Sequence, residues 1–155
     1  MKNVILIVVL VVIGLDSAAM AVDIETVHVG NPDNADDAHG AGYGGVAYEY
    51  NIGKYEVTGG QYTEFLNAVA GRDTYGLYTA GMSLSGISRA GSGTVDTPYA
   101  YTVDSAYANR PVNYVSWGDS ARFVNWLHND QPTTGVQDAM TTEDGAYDLS
   151  ATQSY

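Results

Sequence analysis

The sequence contains no cysteine, and its 155 residues include only six lysines and arginines, two phenylalanines, two tryptophans and three histidines. Without cysteine there is no disulfide to brace an exported fold and no thiolate for nucleophilic or redox chemistry. The few cations face 18 Asp and Glu residues, which leaves a net charge of −12. That field repels nucleic acid and anionic lipid, and no Lys/Arg cluster offsets it, so nucleic acid is excluded as a partner. His28, His39 and His128 lack the paired spacing of a zinc site and read as isolated polar residues. No Gly-x-Gly-x-x-Gly joins a strand to a helix and no Gly-Lys-Ser/Thr occurs, so nucleotide binding has no support. A Gly-x-Ser-x-Gly elbow is also missing, and nothing marks out one pair among so many carboxylates.

What is present begins with an export signal. Met1-Lys2 precedes an apolar run over residues 4–13, followed by Ser17-Ala18-Ala19-Met20-Ala21. A basic start, a short apolar core and Ala-Met-Ala predict a signal peptide over 1–21, cleaved before Val22. The alternative is a membrane anchor, but the run is short for a bilayer span. The expectation is therefore a secreted, periplasmic or cell-surface chain with no membrane contact after cleavage. Removing Lys2 and Asp16 with the leader leaves the charge at −12. The mature chain, 22–155, is long enough for one domain with a real core. Its 18 Gly and 13 Tyr predict a loop-rich α+β domain.

Two stretches organise that domain. In residues 109–128, Arg110-Pro111 opens an extended run, 112–115 is β-prone, and Ser116 with Asp119 three residues on makes a capping box. The cap satisfies a first-turn N–H, and Asp119 also meets the positive end of the helix dipole. Thr58 and Gln61 repeat the arrangement 58 residues earlier, with a helix expected over 59–70 and Gly71 as its stop. Phe65, Leu66, Asn67 and Val69 stand at the same offsets from their cap as Phe123, Val124, Asn125 and Leu127. The apolar members of each set should form one stripe against a shared core. Either an internal duplication or common capping rules accounts for the match. Trp117 is expected to plug the core and Trp126 to lie at an edge.

The remaining segments read in order. Residues 22–30 predict a first strand carrying Glu25 and His28 on its edges, and 46–57 a strand or hairpin arm with a bend at Gly53. Between them, 31–45 is a Gly- and Asp-rich loop. Asp33, Asp36 and Asp37 are calcium candidates there, because hard oxygen ligands at close spacing suit that ion. The order lacks the alternation and distal Glu of an EF-hand loop, so a solvated acidic turn is the competing reading. Residues 71–108 are irregular, with short strands expected at 87–89 and 99–103. Tyr75, Tyr78, Tyr99 and Tyr101 in this region are candidates for binding a peptide or a glycan, since rings on loops stack while their hydroxyls hydrogen-bond. The competing reading packs them on the helices. Residues 133–144 form a polar loop, and 147–149 start another strand.

The segment Ile52-Gly53-Lys54-Tyr55-Glu56-Val57-Thr58-Gly59-Gly60-Gln61-Tyr62 with Phe65-Leu66, and Arg110-Pro111-Val112-Asn113-Tyr114-Val115-Ser116-Trp117 with Ala121, Phe123 and Trp126-Leu127, carry a family likeness. They resemble the N-terminal half of the formylglycine-generating, or sulfatase-modifying factor, family in its exported bacterial type. The likeness runs from residue 24 to residue 149 and implies the formylglycine-generating-enzyme fold, a C-type-lectin-like α+β scaffold, here incomplete. The family's Leu-Pro-x-Glu-x-Glu-Trp type motif, its Gly-Gly-Ser-Trp block and its catalytic end are absent from this sequence. Active members hold copper with two cysteines in that later part, and a related branch consists of non-haem iron enzymes.

No catalytic residue can be carried onto this chain from the resemblance, since a copper-thiolate mechanism needs thiolates. Two hypotheses follow. In the first, an exported domain fragment acts as a non-catalytic binding or structural module for peptide or glycan. In the second, the chain is the N-terminal part of a formylglycine-generating oxidoreductase, or of a related iron enzyme, whose catalytic half lies elsewhere in the gene.

Overall fold

The computed structural model describes residues 21–149, and the expected leader and the last residues lie outside them apart from Ala21. Six elements appear in chain order: strands β1 (Thr26–Val29) and β2 (Tyr50–Gly53), helix α1 (Gly59–Val69), strands β3 (Ile87–Ala90) and β4 (Ala100–Val103), and helix α2 (Trp117–His128). One 3₁₀ turn, Ala80–Ser85, precedes β3. The mixed content agrees with the α+β expectation. None of the described helices is long and apolar enough to cross a membrane.

Both helices start as their cap residues dictate. Thr58 Oγ1 accepts from Gln61 N while Gln61 Oε1 accepts from Thr58 N. Ser116 and Asp119 make the same reciprocal pair ahead of α2. Each box satisfies two donors that a helix start leaves open. The buried faces differ in phase. On α1 the buried residues are Gly59, Tyr62, Thr63, Phe65, Leu66, Ala68 and Val69, and on α2 they are Asp119, Ala121, Arg122, Phe123, Asn125 and Trp126. Offsets four, eight and eleven from the cap are buried on α1, whereas three, six and nine are buried on α2, so the buried face of α2 is rotated relative to its cap. That rotation overturns three expectations. Val124 leaves the stripe and is 39 % exposed, Trp117 is 64 % exposed with its edge on Tyr147, and Trp126 is buried with Nε1 donating to Pro132 O.

The two faces meet through aromatic rings. Phe65 lies 5.4 Å from Tyr62 and 5.3 Å from both Phe123 and Trp126, centroid to centroid. Edge-to-face and tilted pairs at such distances add to what area burial contributes. Leu66, Val69, Leu77, Met82 and Ile87 complete the core around them.

Two antiparallel ribbons flank this core. β1 pairs with β2 in the register Thr26↔Gly53 to Val29↔Tyr50, which sets Val27 opposite Ile52. Both side chains of that pair are exposed. β3 pairs with β4 from Ile87↔Val103 to Ala90↔Ala100, at the positions expected for 87–89 and 99–103. No strand forms over 112–115. Tyr114 sits at φ +60, a left-handed conformation that interrupts extended backbone, and pairing is confined to the bridge Thr58↔Pro111 and the bond Val112 N to Val57 O.

Asparagines tie the ribbons and loops to the helices. Asn67 Nδ2 donates to Tyr101 O and its Oδ1 accepts from Tyr101 N, so it pairs with β4 as a strand neighbour would. Asn125, at the same offset from its own cap, treats Tyr147 identically and adds a bond to Thr142 O. The matched pair extends the likeness of the two halves from capping to tertiary contacts.

Candidate functional site

A cleft opens where the two motif stretches meet. Its volume is about 400 Å³, and its walls are Asp23, Ile24 and Glu25 before β1, Tyr55, Glu56, Thr58 and Gln61 around the start of α1, and Asn109 with Pro111. Local bonds hold this geometry. Gln61, already in the capping box, donates from Nε2 to Asp23 O, Lys54 N donates to Glu25 O, and Gly59 N donates to Arg110 O. Gly60 explains the close approach, since a Cβ there would sit 3.0 Å from Ala108 O. Tyr55 is 67 % exposed, with Lys54 Nζ over its ring at 5.3 Å. Lys54 also pairs with Glu25, which leaves Asp23 and Glu56 as the free acidic groups of the wall. Such a surface offers one ring, carboxylates and amide groups to a ligand with cationic or hydrogen-bonding character.

The tyrosine candidates lie elsewhere. Tyr78, Tyr99 and Tyr101 come together, with Tyr101 5.7 Å from Tyr78 and 6.4 Å from Tyr99. They surround Arg89, whose guanidinium lies 4.7 Å from the Tyr78 centroid and 4.2 Å from that of Tyr99. Tyr101 is 3 % exposed and its hydroxyl donates to Ala70 O, so it is a core residue with no face for a ligand. Tyr75 stands apart beneath Arg122, at 4.3 Å. These rings serve mainly to seat arginines.

Beneath the Arg89 stack lies Asp73, held at φ +52 with its side chain 2 % exposed. Its carboxylate accepts from Leu77 N and Tyr78 N and pairs with Arg89 at 3.2 Å. Burial raises its pKa, and those donors, the Gln137 side chain and Arg89 oppose the rise. Gln137 Oε1 accepts from Tyr75 N, and its buried Nε2 makes no hydrogen bond among the described residues.

Burial likewise raises the Tyr62 and Tyr101 hydroxyls, with Asp119 and Asp73 adding to Tyr62 and Asp73 to Tyr101. Unfolded tyrosine ionises near pH 10. Above that pH the folded chain therefore holds more protons than the unfolded one, and stability falls as pH rises through the window that opens there. Phenolate absorbance should show Tyr62 and Tyr101 ionising only as the near-UV circular dichroism of the fold disappears. If all 13 tyrosines titrate while that signal persists, this packing is wrong.

Asp33, Asp36 and Asp37 are not gathered into a cage. Asp33 takes φ +59, Asp37 turns to His39 N, and Asn34 closes the loop by accepting from Val46 N and donating to Gly44 O. Among the described residues no group of three His, Asp or Glu side chains could hold a metal ion. Copper held by cysteine pairs does not fit these residues either, because the chain has no thiolate to offer.

Sequence reasoning marked none of Asp23, Glu56, Gln61 and Asn109 as part of a binding site and did not single out the ion-pairing residues Asp73, Arg89 and Arg122. The cleft had a usable signal, since Glu56, Gln61 and Asn109 stand in or beside the two motif stretches. No curated protein and no solved structure matches the chain. A family model does match, described as the sulfatase-modifying factor enzyme 1-like domain and aligned over residues 26–151. That span takes in both capped helices and six of the nine residues of the cleft wall, with Asp23, Ile24 and Glu25 lying before it, and by it the chain belongs to the sulfatase-modifying factor enzyme 1-like domain family.

Proposed function

We propose that this chain is an exported, non-catalytic binding module of its family, on the C-type-lectin-like scaffold, and that its cleft takes a peptide segment bearing basic residues. The supporting observation is the cleft itself, built by both motif stretches and walled by Tyr55, Asp23 and Glu56. The −12 charge of the chain favours approach of a cation. A neutral glycan would use the ring of Tyr55 and the amides but not the carboxylates.

Calorimetric titration of the exported chain with Lys/Arg-containing peptides and with neutral oligosaccharides tests this reading. Peptide binding should weaken with salt, and Glu56→Gln should reduce affinity about three- to fivefold, as expected for one partly exposed charge. Salt-independent binding of the oligosaccharides alone would replace the peptide reading, and no binding by either class would overturn both.

The family match also supports a second reading, the N-terminal part of a formylglycine-generating oxidoreductase. The DNA beyond the codon for Tyr155 decides between them: paired cysteine codons in a continuing frame favour the oxidase, and a cysteine-free continuation favours the module.

A further inference from the structure

Val22 is bound more tightly than a strap at the edge of a fold requires. The residue is 9 % exposed, its N donates to Gln131 Oε1 at 2.6 Å, and Gln131 Nε2 donates back to Val22 O at 2.9 Å. Gln131 reaches this position through two successive left-handed residues, Asp130 at φ +61 and Gln131 at φ +56, with Gln131 N anchored on Trp126 O. Non-glycine residues seldom adopt that conformation, and here two in a row aim one amide at one backbone nitrogen.

Beside that nitrogen lies a cavity of about 100 Å³ bordered by Ala21, Glu64, Trp126, Asp130 and Gln131. Glu64 comes from α1 and Asp130 follows α2, and no Lys or Arg borders the cavity. Ala21 is exposed and ends the Ala19-Met20-Ala21 pattern of a processing site.

We propose that cleavage between Ala21 and Val22 creates an α-ammonium group that is seated on Gln131 between the carboxylates of Glu64 and Asp130. Hydrolysis of that peptide bond consumes one water and leaves a carboxylate on Ala21 and an amine on Val22. The amine takes up a proton and has three donors where the peptide nitrogen had one. Gln131 accepts the first, and the adjoining cavity, opened further by the loss of Ala21 from its border, offers the others the carboxylates of Glu64 and Asp130. Maturation thereby converts a neutral hydrogen bond into a charge-assisted one. The inference rests on the export reading but not on peptide binding at the cleft.

The full chain, exported from a bacterial host, provides a direct test, because after cleavage Val22 and Lys54 bear the only two amines. N-terminal sequencing should read Val22-Asp23-Ile24. Brief acetylation at neutral pH, read by peptide mass spectrometry, should modify the Val22 amine at least tenfold more slowly in the folded chain than in denaturant. Glu64→Gln combined with Asp130→Asn, which keeps a side chain tolerant of left-handed backbone, should remove most of that protection, as should Gln131→Ala. An exported chain that retains its leader overturns cleavage and the seat, and a chain that stays in the cytoplasm overturns export with them. A chain that starts at Val22 but acetylates as fast folded as unfolded overturns the seat alone.

Discussion

Replacing Phe65 with alanine is expected to cost about 3–5 kcal/mol, a large part of the roughly 5–15 kcal/mol that stabilises a typical domain. Phe65 is fully buried and touches three other rings, Tyr62 from its own helix and Phe123 and Trp126 from α2. The ring links the two helices, so its removal opens a void that neither backbone can close without breaking its capping geometry. Urea unfolding should show the midpoint collapsing, and Phe65→Leu should lose distinctly less because most of the volume is kept. A loss below about 1 kcal/mol for the alanine variant would mean that the helices are not packed through this residue.

Arg122→Met should be nearly as damaging, at about 3–5 kcal/mol, for an electrostatic reason. Arg122 Nε and Nη2 donate to the two carboxylate oxygens of Glu143 at 2.8 and 2.9 Å, with both side chains under 10 % exposed. Thr142 Oγ1 adds a third donor to Glu143. Removing the guanidinium leaves a buried carboxylate without its counter-ion and takes away the cation over Tyr75. The double variant Arg122→Met/Glu143→Leu should recover much of the loss, since replacing both ions with apolar groups avoids the orphaned charge. If the single and double variants are equally unstable, packing rather than charge pairing dominates at this site.

Much of the fold was legible because it is governed by local rules. Thr58 with Gln61, and Ser116 with Asp119, announce helix starts through side chains three residues apart, and both boxes form as read. The short strands β3 and β4 were legible from β-prone runs between glycines. What misled was phase. Equal cap offsets placed Val124 inward, but the buried face of α2 turns toward Arg122, which reaches Glu143, while Asn125 holds Tyr147 from the offset it shares with Asn67. Those partners lie about twenty residues further along the chain, beyond any periodicity argument. Tyr101 and Tyr78 misled similarly, because a tyrosine on a Gly-rich stretch looks the same whether it waits for a ligand or seats Arg89.

The cleft stayed hidden because it joins residues more than eighty positions apart, Asp23 and Asn109, across the start of α1. The family likeness was carried by the residues around the helix caps, of which Tyr55, Glu56, Thr58, Gln61 and Pro111 also line this seam, and the family match includes them.

The most direct test of a binding cleft in this position is amide chemical-shift mapping of the chain during titration with a Lys/Arg-containing peptide. Shifts concentrated on Tyr55, Glu56, Gln61 and Asn109, and reduced in Glu56→Gln, are the predicted result. Shifts concentrated on Tyr75, Tyr78 and Tyr99, or an unchanged spectrum at saturating peptide, would contradict the assignment of function to this cleft.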